Sequence, residues 1–134
     1  RPGDIGAAIA SGSFATTGMI VAPCSIKSLS AIAHSYTDDL LARAADVQLK
    51  EGRPVLLMVR ETPLHVGHLE LMLQAARIGC VIFPPAPAFY SRPQTLDDIV
   101  RGTVGRMLAR IGLDNALYHR WSGVQSPHDR TDAI

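Results

Sequence analysis

The sequence predicts an α/β domain built on a parallel β-sheet. Three runs of strand length, "GMIVAP" (18–23), "PVLLMV" (54–59) and "CVIFPP" (80–85), are apolar throughout rather than alternating, as strands buried on both faces are. Segments with helical spacing separate and follow them. The resulting order of strand, helix, strand, helix, strand, helix implies parallel pairing through right-handed crossovers. The length of 134 residues fits one domain, and a 47% hydrophobic composition supplies a core.

Residues 1–17 are rich in Gly, Ala and Ser and read as a short helix plus loop before the first strand. "CSIKSLSAIAHSY" then opens a helix that Ser25 or Ser28 caps. In "DDLLARAADVQLKEG" the positions Leu40, Leu41, Ala44, Ala45, Val47 and Leu49 recur at helical spacing, and Gly52 stops the helix. After the second strand, His65–Ile78 reads as a helix with Leu69, Met72, Leu73 and Ala76 on one stripe and Gly79 at its end. "AFYSRPQ" is a loop. "TLDDIVRGTVGRMLARIG" is a final amphipathic helix, with Thr95 as cap and Asp97 and Asp98 near its positive end. The polar residues 122–134 read as a mobile tail, so the domain is expected over 1–121. Three strands are few for a complete sheet of this class. The first residue is Arg, not Met, so the chain reads as a fragment or a processed product.

Composition excludes several classes. A formal net charge of +1 argues against a general nucleic-acid binder. No apolar run reaches the roughly 18 residues of a membrane span, and no signal peptide is visible. Cys24 and Cys80 lie inside apolar runs without metal-ligand spacing, which fits buried free thiols in a reducing compartment. His65 and His68 could share a helix face, but no third ligand stands at a suitable spacing, so no metal is expected. The cations are eleven Arg and two Lys; Arg suits forked recognition of phosphate or carboxylate, and GC-rich codon usage is the alternative source of the bias.

In an open parallel sheet, ligands bind beyond the carboxyl ends of the strands. The first strand leads into Cys24-Ser25-Ile26-Lys27-Ser28, the second into Arg60-Glu61-Thr62-Pro63, and the third into a proline-stiffened loop carrying Tyr90 and Arg92. Hydroxyls at a helix start can hold phosphate with backbone N–H groups. Arg60 adds a forked donor, Glu61 a carboxylate that pairs with it or handles a proton, and Tyr90 a phenol. Each has a structural alternative: plain caps, a surface ion pair, a proline stop. Their coincidence at one sheet edge favours a site for an anionic, partly aromatic ligand. Arg43 and Lys50 share a helix face two turns apart. Arg106, among Val104, Met107 and Leu108, either snorkels or meets an anion. Trp121 reads as an anchor of the tail, with His119 and His128 solvated.

Four blocks, "PCSIKSLS", "RAADVQLKE", "RETPLH" and "PPAPAFYSRPQ", in this order closely resemble the flavin prenyltransferases of the UbiX type, from about Ser11 to Trp121. The resemblance implies a flavodoxin-like, Rossmann-like three-layer fold whose N-terminal strands and glycine-rich "GxSGA"-like FMN-phosphate loop are missing here. It implies transfer of the dimethylallyl group of dimethylallyl monophosphate to N5 and C6 of FMN without a metal. The prenylated FMN would serve a UbiD-type decarboxylase, for example in ubiquinone biosynthesis, from a cytoplasmic homo-oligomer, a dodecamer. By the same resemblance Ser25, Ile26, Lys27, Ser28 and Arg60 contact FMN. Glu61 handles protons, Arg43, Lys50, Tyr90 and Arg106 surround the prenyl phosphate, and Trp121 stands near the site. The alternatives are a non-catalytic FMN-binding or assembly module and a flavin-dependent cysteine decarboxylase. "RETPLHVGH" stands where the latter carries a "PxMNxxMW"-like segment.

Overall fold

A computed structural model describes residues 1, 3–4, 6–118 and 120. Strand β1 (Met19–Cys24) leads through helices α1 (Ile26–Ala33) and α2 (Leu40–Lys50) to β2 (Val55–Val59); α3 (Val66–Arg77) leads to β3 (Cys80–Ile82), and α4 (Leu96–Arg110) follows. Short 3-10 turns occupy Ala8–Ala10 and Phe89–Ser91. The sheet is parallel with spatial order β1-β2-β3, and Val55 pairs with Met19 on one side and Cys80 on the other. Two successive parallel crossovers in one direction put α1, α2 and α3 on the same face.

That face holds the core. Leu29, Ile32 and Ala33 of α1, Ala45 of α2 and Ala75 of α3 pack with Val21, Val55, Leu57, Val59 and Cys80 of the strands. Alternation turns Leu56 to the opposite face, where it is also fully buried. Burial of Leu29, Leu56 or Leu57 contributes about 2 kcal/mol each. β2 is thus the doubly covered central strand its composition predicts. β1 differs: Ala22 and Pro23 are exposed, and the register shifts between Val21 and Cys24.

The helix starts follow their caps. Ser25, Asp39 and Thr95 accept from the backbone N–H three residues on. Thr95 and Asp98 form a reciprocal capping box. Gly52, at φ 69°, ends α2 in the left-handed region. Gly18 serves close approach: a Cβ there would lie 2.8 Å from Pro54 Cγ and the Pro54 carbonyl oxygen.

Two expectations need correction. The third strand ends at Ile82, not residue 85; Phe83 N–H still donates to the Leu57 carbonyl at 2.9 Å, but Pro84 and Pro85 have no N–H to continue the ladder. The stripe expected on α3 is rotated: Leu71, Met72, Ala75 and Ile78 face the core, while Leu69, Leu73 and Ala76 are exposed. α3 is apolar around most of its circumference, so tertiary packing chooses the buried side. The tail 122–134, Trp121, His119 and His128 lie outside the described residues.

Candidate functional site

The parallel register brings the carboxyl ends of β1, β2 and β3 to one edge of the sheet. Beyond β1, Ser25 starts α1. Its Oγ accepts from Ser28 N–H at 3.2 Å and lies 3.1 Å from the Ser28 hydroxyl. Ser25 and Lys27 are exposed, whereas Ile26 turns into the core. Of the two candidate caps, Ser25 is the cap and Ser28 the residue it caps.

Beyond β2, Arg60 and Glu61 are both exposed. They do not pair with each other: Glu61 Oε1 accepts from Thr62 N–H at 3.1 Å. Among the described residues no carboxylate lies within salt-bridge distance of Arg60. A guanidinium without an internal anion at a strand tip is available to an external one.

Beyond β3, the Pro-rich loop and α4 enclose a cavity of about 440 Å³, lined in part by Phe83, Tyr90, Arg92, Arg101, Arg106 and Tyr118. Tyr90 stands in the 3-10 turn whose end is fixed by Ser91 Oγ donating to the Ala88 carbonyl at 2.7 Å and by Arg92 in the left-handed region at φ 52°. Arg106 reaches the cavity from the face of α4 that also carries Ile99, Gly102 and Thr103. Its guanidinium carbon lies 5.7 Å from the centre of the Phe83 ring. The outer wall folds back from the end of α4. Asn115 Nδ2 donates to the Gly105 carbonyl at 2.9 Å, and a Cβ on Gly105 would lie within 2.9 Å of Asn115, Leu117 and Tyr118.

The cavity is cationic. Against Arg92, Arg101 and Arg106 stands Asp98, whose Oδ2 accepts from the N–H groups of Gln94 and Thr95, both at 2.9 Å. Those backbone donors hold its carboxyl below the usual range, so Asp98 stays an anion engaged in capping. Arg101 makes only a loose contact with Asp97 at 4.0 Å.

The structure therefore joins Tyr90 and Arg106 in one cavity and places Ser25–Ser28, Arg60 and Glu61 along the same sheet edge without lining that cavity. Arg43 and Lys50 do not line it either. Arg43 faces Asp46 at 3.6 Å, and Lys50 meets Glu51 at 3.1 Å. Lys50 ends α2 shortly before β2 begins, which places it at the amino-terminal edge of the sheet. Sequence reasoning missed Phe83, Arg101 and Tyr118. The Ile99–Thr103–Arg106 spacing beside a Pro-rich loop is a signal for a cavity-facing helix side, but no local pattern reports the fold-back of Tyr118.

Burial raises the Cys24 and Cys80 thiols to about 11 each, so neither is a nucleophile near neutral pH. The His65 and His68 rings stack with centroids 3.6 Å apart, and among the described residues no group of three or more His, Cys, Asp or Glu could hold a metal ion.

Comparison with known proteins places these observations. A family model for Flavoprotein matches residues 5–107. The chain is 64% identical over 122 residues to flavin prenyltransferase UbiX of Escherichia coli (strain K12), covering 90% of this chain and 65% of the relative. It is 53% identical over 123 residues to the mitochondrial flavin prenyltransferase of Saccharomyces cerevisiae, covering 92% of this chain and 51% of that one. Among solved structures, AnUbiX in complex with FMN and dimethylallyl pyrophosphate superposes with TM-score 0.88 at 48% identity, covering 92% of this chain and 66% of that chain. A dodecameric FMN-dependent UbiX-like decarboxylase from Escherichia coli O157:H7 gives TM-score 0.85 at 52% identity, covering 91% and 66%. These neighbours share the flavodoxin-like α/β architecture. The chain spans about two thirds or less of the length of these proteins.

Proposed function

The chain belongs to the Flavoprotein family, and from that premise we propose that it works as a flavin prenyltransferase, moving the dimethylallyl group of dimethylallyl monophosphate to N5 and C6 of FMN. The observation that carries this reading is the pairing of Tyr90 and Arg106 in one cationic cavity at the sheet edge that also presents Ser25–Ser28 and Arg60.

The residues fit FMN. Two hydroxyls and the first N–H groups of α1 supply donors for an anionic or carbonyl edge. Arg60 adds a fork at the neighbouring strand tip with its charge unspent. When bound, FMN supplies the nucleophilic atoms N5 and C6. The chain supplies the rest. Arg106 and the Tyr90 phenol stabilise the charge that grows on the departing phosphate oxygen. The apolar wall of Ile82, Phe83 and Ile99 limits water beside the allylic carbon. Glu61, exposed and free of any cation at salt-bridge distance among the described residues, is the proposed acceptor of the proton lost from C6.

Arg43 and Lys50 stand outside the cavity of their own chain. Their proposed role at the prenyl phosphate is filled from a neighbouring copy, as a dodecamer of the kind formed by the UbiX-like relative would allow. Trp121, outside the described residues, is proposed to stand near the site. The product is proposed to serve a UbiD-type decarboxylase in the cytoplasm, in a pathway such as ubiquinone biosynthesis. Among the described residues no helix is long and apolar enough to cross a membrane.

The test is incubation of the chain with FMN, oxidised and reduced, plus dimethylallyl monophosphate or the pyrophosphate, with mass analysis of the flavin. A flavin heavier by one dimethylallyl group supports the reading. Retained FMN without product favours a binding module instead.

A further inference from the structure

We propose that Phe83 is a positioning residue for Arg106, holding its guanidinium toward the cavity while leaving every N–H free for an anion. The inference rests on the reading above in taking that anion to be the prenyl phosphate. The guanidinium carbon stands 5.7 Å from the ring centre, within the range of a cation–π contact. Both residues line the cavity.

The backbone gives Phe83 the rigidity the role needs. Its N–H donates to the Leu57 carbonyl at 2.9 Å, a last rung beyond Ile82, and Pro84 and Pro85 follow immediately. Phe83 is therefore the last residue tied to the sheet before the loop that carries Tyr90. Arg106 projects from within a capped fifteen-residue helix, one turn before its end. Ring and guanidinium thus meet from two fixed supports.

The alternative way to hold an arginine is a carboxylate, which would consume its donors and cancel its charge. Among the described residues none lies within salt-bridge distance of Arg106, and Asp98, the carboxylate on the cavity wall, is occupied with the N–H groups of Gln94 and Thr95. An aromatic face restrains the plane and leaves the five N–H donors unpaired. A site built to release phosphate after each turnover gains from that arrangement.

The test uses the 134-residue chain with FMN present and its Phe83→Leu, Phe83→Tyr and Arg106→Ala variants. Calorimetry follows dimethylallyl monophosphate binding, and a ¹⁵N spectrum follows the Arg106 Nε–Hε resonance. Phe83→Leu is expected to weaken binding about two- to fivefold and to move the resonance, as loss of one cation–π contact requires. Phe83→Tyr is expected to restore both. Phe83→Leu added to Arg106→Ala is expected to change nothing further. Unchanged affinity in Phe83→Leu overturns the proposal, as does an equal loss in the Arg106→Ala background, which would mean that the ring acts on the fold. If the unaltered chain does not bind dimethylallyl monophosphate, the functional reading falls. Orthophosphate binding and the resonance then decide: no change in Phe83→Leu rejects the positioning role, and a change in both sustains it. Phe83→Met replaces the Leu variant if that one does not fold.

Discussion

The hydroxyls of Ser25 and Ser28 lie 3.1 Å apart, and Ser25 Oγ also accepts the Ser28 N–H at 3.2 Å. The two side chains therefore have separable duties. Ser25 satisfies an orphan donor of α1, so Ser25→Ala is expected to cost about 1 kcal/mol of stability. Ser28→Ala leaves that bond intact, because the donor is backbone, and is expected to stay within about 0.5 kcal/mol of the parent. If these hydroxyls meet FMN, both variants weaken flavin binding. Fluorescence titration beside denaturant unfolding distinguishes a pure cap from a ligand contact.

Arg106→Ala and Lys50→Ala are expected to raise KM for dimethylallyl monophosphate on the order of tenfold or more, the scale of a lost charged hydrogen bond, with FMN affinity nearly unchanged. Turnover by Arg106→Ala equal to the parent would remove Arg106 from the phosphate site. For Lys50 a dependence on assembly is also expected. Its own chain places it at the far edge of the sheet, so mixing Lys50→Ala chains with Arg106→Ala chains is expected to recover activity through sites that draw an intact residue from each.

Gly102 sits inside α4 and lines the cavity, yet a Cβ there would meet no atom within 4 Å. Neither backbone strain nor packing demands a glycine. Gly102→Ala is therefore expected to stabilise the chain by about 0.5–1 kcal/mol. A larger Gly102→Leu side chain is expected to keep the helix but fill the recess and weaken prenyl-phosphate binding. A stability gain without any effect of Leu on binding would show that the space goes unused.

The buried thiols set an alkaline limit. In the folded chain Cys24 and Cys80 are raised from 9.0 to about 11. Between those values the unfolded chain releases thiol protons that the folded chain keeps, so stability is fully present below pH 9 and falls as pH rises toward 11. Urea unfolding from pH 7 to 11 is expected to show that decline, and replacing both cysteines by alanine is expected to flatten it. Native thiols should also resist alkylation at pH 8 and react only on unfolding.

Much of this fold is legible locally. Thr95 with Asp98, Ser25 and Gly52 announce helix ends because capping is settled within a few residues. The apolar run at 54–59 announces a central strand because both its faces are covered. What escapes is decided across the structure. α3 offers apolar residues on more than one side, and only its packing on α1 and the sheet selects Leu71, Met72 and Ala75. The third strand is short because Pro84 and Pro85 interrupt a ladder whose partner lies in another segment. Tyr90 and Arg106 could each be marked as candidates, but their shared cavity, and the ring of Phe83 beneath the guanidinium, come from α4 packing beside the loop that follows β3. That Arg43 and Lys50 stand outside the cavity is not visible until α2 is seen to run back along the sheet.

The fold-back of Asn115–Tyr118 onto Gly105 has a consequence for how the recess can be altered. The recess borrows its outer rim from a stretch that takes no part in strand pairing. Substitutions in those few positions can resize the opening while the pleated scaffold stays as it was. The width of the recess and the pairing of the strands are written in different parts of the chain.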